Sequence, residues 1–239
     1  MRKQRHIIYH SWIHILITIG IIFVPFFFLL FFSQYAKISA SKLFLNLAIS
    51  FFRLLVAYII AAVLAWLSAV LFYRGRRALV ALPIFDILQS FPTFAALPLA
   101  VYFWGPSGRT VIIFLILTVI WPIFFSLISS LKLVRQDWEE AAAIAGLRRF
   151  DYLCRFLWPI SLSGLITGSI IGLGEGWEAL VATEIIVATK TGLGSFFSLY
   201  SQNASITVFT IIGLLLFIFS VNKLVWLPLL EWSHRQMEE

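Results

Sequence analysis

Charge is scarce in this chain. Asp, Glu, Lys and Arg together fill 12% of its 239 positions, about half the share of an average soluble domain. A water-facing surface needs more charge than that, so an ordinary soluble globular fold is excluded. Cysteine is nearly absent, and a lone Cys154 rules out an internal disulfide and a cysteine-based zinc site. His6, His10, His14 and His234 show no ligand spacing with cysteine or acidic residues, so no metal site and no cofactor of the chain's own are expected. The sequence also lacks GxxxxGKS or GxxxxGKT, the loop that cradles nucleotide phosphates. Low-complexity tracts, fixed-period tandem repeats and a soluble polar domain are missing too, which leaves a single membrane domain over 1–239.

What is present is apolar. Hydrophobic residues make up 61% of the chain, and about 20 of them in a row suffice to cross a ~30 Å hydrocarbon core. Six runs qualify: Trp12 to Phe32, Leu54 to Tyr73, Leu79 to Phe103, Thr110 to Leu131, Pro159 to Ala188 and Ile206 to Leu229. Backbone groups in lipid must find partners within their own segment, so the expected fold is all-α and polytopic, with six transmembrane helices. The third run carries Pro83, Pro92 and Pro98 and is expected to be kinked or broken. Arg2, Lys3 and Arg5 precede an uncharged stretch longer than a signal-peptide core, so the first run is expected to stay as a membrane helix.

Basic residues orient the chain. With the N-terminus inside, the inner segments hold 13 of the 18 Lys and Arg residues and the outer ones hold Lys37, Lys42, Arg53, Arg109 and Lys190. This positive-inside bias predicts cytoplasmic N- and C-termini. The net charge of +7 therefore serves topology, and no nucleic-acid partner is expected. Arg53 is expected to snorkel at the outer interface.

Only one inner segment, 132–158, is long. Asp137 is placed to cap a helix from Trp138, with Glu140 three residues on, and Gly146 to end it in a left-handed turn. Ala141, Ala142, Ala143 and Ala145 bury little in lipid but let another protein approach the backbone. Leu147, Phe150, Cys154 and Leu157 then recur every three or four residues, as one face of an amphipathic helix leading into Pro159.

Glu140, Ala141, Ala142, Gly146 and Pro159 stand at the spacing of the EAA loop, and this segment resembles that loop in ABC importer permeases. Phe156 and Trp158 replace the family's Ile and Leu. Leu82-Pro83, Gln89 to Pro92, Trp177, Ala182 to Glu184 and Gly192 to Gly194 extend the likeness to permeases of the nitrate, sulfonate and taurine type. The resemblance implies a type I importer permease fold without catalysis of its own. It also implies a cytoplasmic ATPase dimer that binds ATP and Mg, a second permease, identical or paired, and an extracytoplasmic solute-binding protein. The solute it implies is small and mostly anionic.

The fifth run carries two further signals. Gly164, Gly168, Gly172 and Gly176 repeat every four residues and mark a close-packing face. Glu175, Trp177, Glu178 and Glu184 are candidates for the pathway or a gate, because a carboxylate among lipid tails is expensive and must face protein or water. The alternative reading of these glutamates is structural pairing, for instance with Arg53. Two other functions stay open at this point: an ion-gradient-driven secondary transporter or channel, which also uses broken helices and buried acids, and an intramembrane enzyme, for which no nucleophile-and-base pair is evident.

Overall fold

The computed structural model describes residues 20–238. Among them there is no strand, and the chain is a bundle of helices. The first, α1, spans Gly20–Tyr35; the start of the expected first span, Trp12 onward, lies outside the described residues. Then come α2 (Ala40–Phe72), α3 (Gly75–Gln89), α4 (Thr93–Trp104) and α5 (Gly108–Lys132). A short α6 (Gln136–Ile144) follows, then α7 (Phe150–Tyr152) and α8 (Trp158–Ile186). The chain ends in α9 (Leu193–Leu199), α10 (Ala204–Val221) and α11 (Leu227–Glu238). Four continuous helical stretches are long and apolar enough to cross a membrane, and the bent α3–α4 pair makes up to five. With α1, this is compatible with six spans.

The core is built from small side chains. Ala57, Ala61, Ala65 and Ala69 form a fully buried stripe along α2, which packs chiefly on α5. Gly164, Gly168, Gly172 and Gly176 of α8 also lie against α5, and Gly176 reaches Leu54 of α2. A methyl group on Gly168 would sit 2.6 Å from Ile123 Cα, and one on Gly164 would sit 2.6 Å from the Ser126 carbonyl oxygen. Backbone therefore meets backbone. Apolar surface gains nothing by leaving a lipid solvent, so such close approach, rather than the hydrophobic effect, holds these helices together. Side-chain hydrogen bonds add to it: Trp66 Nε1 donates to Ser161 Oγ at 2.9 Å, Ser130 Oγ donates to the Ile160 carbonyl at 2.9 Å, and Tyr58 and Ser169 share a proton across 2.9 Å. Outward, large apolar residues such as Phe31, Leu71 and Phe219 are exposed, as lipid contact demands.

One expectation needs correction and two gain detail. The second span was expected to begin at Leu54, but α2 begins at Ala40. The helix is ~50 Å long at ~1.5 Å per residue, more than a ~30 Å hydrocarbon core needs, so its first turns have room to project beyond the hydrocarbon with Lys42. The third span does break, with a 79° bend, but only at Ser90 to Pro92; Pro83 and Pro98 lie inside helices. Pro159 stands in the first turn of α8, as expected, but the helix before it does not stop there. Phe150–Ile186 runs as one helical stretch, and a π-helical turn, Leu153–Leu157, stands just before the proline. There the Trp158 N–H reaches back to the Leu153 carbonyl, so the widened turn makes room for a residue that has no N–H to give. The same device recurs at Asn222–Trp226, just before Pro228.

Candidate functional site: an open groove and the loop helix at its foot

Two contiguous clefts, of about 690 and 660 Å3, share Phe125 and Ser126 and run along the outer face of α5 and α8. Hydroxyls of Ser129, Ser163 and Thr167 line the lower cleft, which reaches Trp138 of α6. The upper cleft is walled by aromatic rings, among them Trp121 and Phe94, and by the break at Phe91 and Pro92, with Glu175 at its edge. The α3–α4 break thus has a place in the architecture. It brings irregular backbone to a cavity, where such backbone is tolerated at membrane depth.

At the foot of the groove, α6 stands out from the body. Gly146, at φ +74°, ends it in the left-handed region, with Leu147 N–H donating to the Ala142 carbonyl and Gly146 N–H to the Ala143 carbonyl, each at 3.0 Å. This pair of bonds is a Schellman motif, and it satisfies carbonyls that the helix end leaves free. The N-terminus differs from expectation. Arg135, not Asp137, is the capping residue, without a side-chain bond, and α6 starts at Gln136. Asp137 instead pairs with Arg135 at 2.8 Å, and Glu140 accepts from Gln136 Nε2 at 3.0 Å.

One face of α6 is turned to the body of the protein. Ala142 is buried. Glu139 pairs with Arg74, whose guanidinium also donates to the Val134 carbonyl, and Tyr152 OH donates to Glu139 at 3.3 Å. The other face is bare: Glu140, Ala141 and Ala145 are exposed, Trp138 is half exposed, and Ile144 is 88% exposed. Of the residues singled out here from the sequence, Ala142 thus supports the helix from beneath while Glu140, Ala141 and Gly146 are accessible. Sequence reasoning passed over Glu139 and Arg74. The signal was a doubled glutamate facing the Arg74 to Arg77 cluster.

The apolar recurrence beyond Gly146 does not form one face. Leu157 is buried, but Phe150 and Cys154 are exposed, and Tyr152, Leu153 and Phe156 pack inward instead. The π-turn accounts for this: one extra residue in a turn rotates the following side chains by about 100° relative to those before it.

The four pathway candidates separate. Glu175 edges the upper cleft, and Glu178, one turn further on, is exposed. Trp177 is buried among Phe51 and Phe217, with ring centres 6.4 and 5.9 Å away. Glu184 is wholly buried and lies away from both clefts. Its carboxylate accepts hydrogen bonds from Arg53 Nη1 at 2.5 Å, from the Gly194 N–H at 2.9 Å and from the Ser50 hydroxyl, 2.9 Å from both oxygens. The ring of bonds continues outward. Leu193 N–H donates to Ser50 Oγ at 2.7 Å, Gly192 N–H donates to Asn46 Oδ1 at 2.8 Å, and Arg53 donates to the Thr191 carbonyl at 2.7 Å. Gly192, at φ +111°, and Gly194 wrap so closely around Glu184 that a methyl group on either would collide with it. Arg53 is therefore not a snorkelling cation but the charge partner of Glu184.

A multi-pass helical bundle with an open, largely apolar groove studded with hydroxyls and a half-bare loop helix defines an integral membrane protein with one unpartnered face along its span and another at its end. The chain belongs to the family of binding-protein-dependent transport system inner membrane components, whose model matches residues 57–226. It is 31% identical over 155 residues to the nitrate import permease protein NrtB of Leptolyngbya laminosa, covering 64% of this chain and 55% of that protein. It is 27% identical over 122 residues to the bicarbonate transport system permease protein CmpB of Synechococcus elongatus, covering 51% and 44%. It is 37% identical over 112 residues to the taurine transport system permease protein TauC of Escherichia coli, covering 47% and 40%. The chain thus spans about half the length of the curated relatives it matches.

Proposed function

We propose that this chain is the membrane-spanning permease subunit of an ATP-driven importer, carrying a small solute with an anionic group and doing no chemistry itself. The observation that carries the reading is α6: a short helix fixed on one side by Arg74 and Glu139 and bare on the other, set at the foot of a hydroxyl-lined groove. A bare knob at the end of a span suits a groove on a separate cytoplasmic ATPase, which would bind ATP and Mg in this chain's stead. On this reading 132–158 is the coupling loop, and both termini are cytoplasmic.

The groove is open along its length, so a second permease, identical or paired, would close it into a path around a twofold axis. Nitrate, bicarbonate and taurine, named in the relatives' descriptions, support a small anion-bearing solute. An extracytoplasmic binding protein would deliver it. A secondary transporter needs no such knob, and the bare face of α6 therefore favours the ATPase-coupled reading.

Co-purification in detergent with the cognate ATPase tests it. The native chain should retain the ATPase, whereas Glu140→Lys and Gly146→Asp should lose it while keeping the native elution volume. Equal retention by all three proteins would return the assignment to a gradient-driven transporter.

A further inference from the structure

A cleft of about 720 Å3 lies on the outer surface of the α2–α3 corner, away from the groove described above. Phe72, Val80, Ala81, Ile84 and Phe85 line it. Its floor is firm: the Phe85 ring meets Phe72 at 5.4 Å and Phe124 of the core at 4.9 Å. Its outer wall is bare, since Val80 and Ile84 are at least half exposed. The volume falls within the ~300–1,000 Å3 of small-molecule sites.

The lining is apolar except at one end, where Arg76 and Arg77 enter it. Both guanidiniums are exposed, and neither has an ion-pair partner among the described residues. Three acids of the 132–158 segment are engaged with other cations: Glu139 with Arg74, Asp137 with Arg135, and Asp151 with Arg155. Basic residues outnumber acidic ones 18 to 11 in the whole chain, so a second copy of it is a poor counter-charge for this pair.

We infer that this cleft is a binding site for one anionic phospholipid, with the phosphate of its headgroup held by Arg76 and Arg77 and an acyl chain laid against Val80, Ile84 and Phe85. A cation pair at the end of a span and an apolar channel leading from it toward the bilayer centre match the two ends of such a lipid. Neutral-headgroup lipid matches only one of them. Arg74, two residues before Arg76, holds Glu139 of α6, so the lipid would sit at the corner from which the loop helix is braced.

The test is native mass spectrometry of the purified full chain released from nanodiscs of equal phosphatidylglycerol and phosphatidylcholine. One phosphatidylglycerol should stay bound in preference to phosphatidylcholine. Arg76→Gln should weaken retention about fivefold, and the double variant Arg76→Gln, Arg77→Gln about thirtyfold, from the attraction of each cation to an anionic surface. The charge-keeping double variant Arg76→Lys, Arg77→Lys should hold the lipid, which separates loss of binding from loss of fold. Glycerol 1-phosphate at millimolar concentration should not displace it. Equal retention of the two lipids, retention unchanged in the glutamine pair, or displacement by glycerol 1-phosphate would each overturn the site.

Discussion

The molecule holds two arginine–glutamate pairs at opposite ends of its bundle, and they are built on different plans. At one end Glu184 is sealed from solvent, meets Arg53 at 2.5 Å and accepts further bonds from Ser50 and Gly194. At the other, Glu139 and Arg74 are both partly exposed and share their contact with Tyr152 and the Val134 carbonyl. A buried charge must be fully surrounded, so the first pair fastens α2, α8 and the segment leading into α9 into one piece. An exposed pair costs little to break and re-form. The bundle is thus locked at one end and only latched at the end that carries α6.

The comparison breaks most sharply at the sealed pair. Glu184→Leu leaves the Arg53 guanidinium without its counter-charge, and about 3–5 kcal/mol of stability should be lost. Thermal unfolding in detergent reads this directly, and a change no larger than that of a surface variant would show the pair to be dispensable. A middle-sized effect is expected between the ends. Gly168→Ala drives a methyl group into Ile123 and should cost about 1–3 kcal/mol. Gly174→Ala, on the same helix but facing open space, should be neutral or slightly stabilising in the same melt.

The smallest change in stability belongs to the latch. Glu139→Gln should alter unfolding by about 1 kcal/mol or less, yet reduce retention of the cognate ATPase, because α6 loses its brace. Arg74→Gln should do the same, and the double variant should be no worse than either single one. Additive losses in that cycle would mean that the two residues act separately.

Much of this was legible in the sequence because lipid leaves few choices. Apolar run length set the spans, and the four-residue glycine period of α8 marked the face that lies against α5. The limits came where a feature depends on its partner. Lys42 and Arg53 looked like the end of a helix, because a charge reads as a boundary; only the packed loop at Gly192 to Gly194 shows that Arg53 has a buried counter-ion. Ala142 is indistinguishable from Ala141 and Ala143 until the helix is seated. Trp177 stands between two exposed glutamates, yet it turns inward onto Phe51 and Phe217. Three prolines marked the third span as fragile, but it broke only at Ser90 to Pro92, while Pro83 and Pro98 were absorbed inside helices.

The widened turns before Pro159 and Pro228 have a mechanical meaning. Each lets a long rod pass a residue that has no N–H to give, at the cost of stepping its angular phase. The piece of rod next to α6 is therefore indexed differently from the piece that lines the groove. On the proposed function, a thrust delivered at the loop would travel along the axis of the rod unbroken, while its side chains are read out around the axis from a new zero. Deleting one residue from Leu153–Leu157 would reset that zero and turn every groove-lining group of α8 about a quarter of the way around relative to the loop.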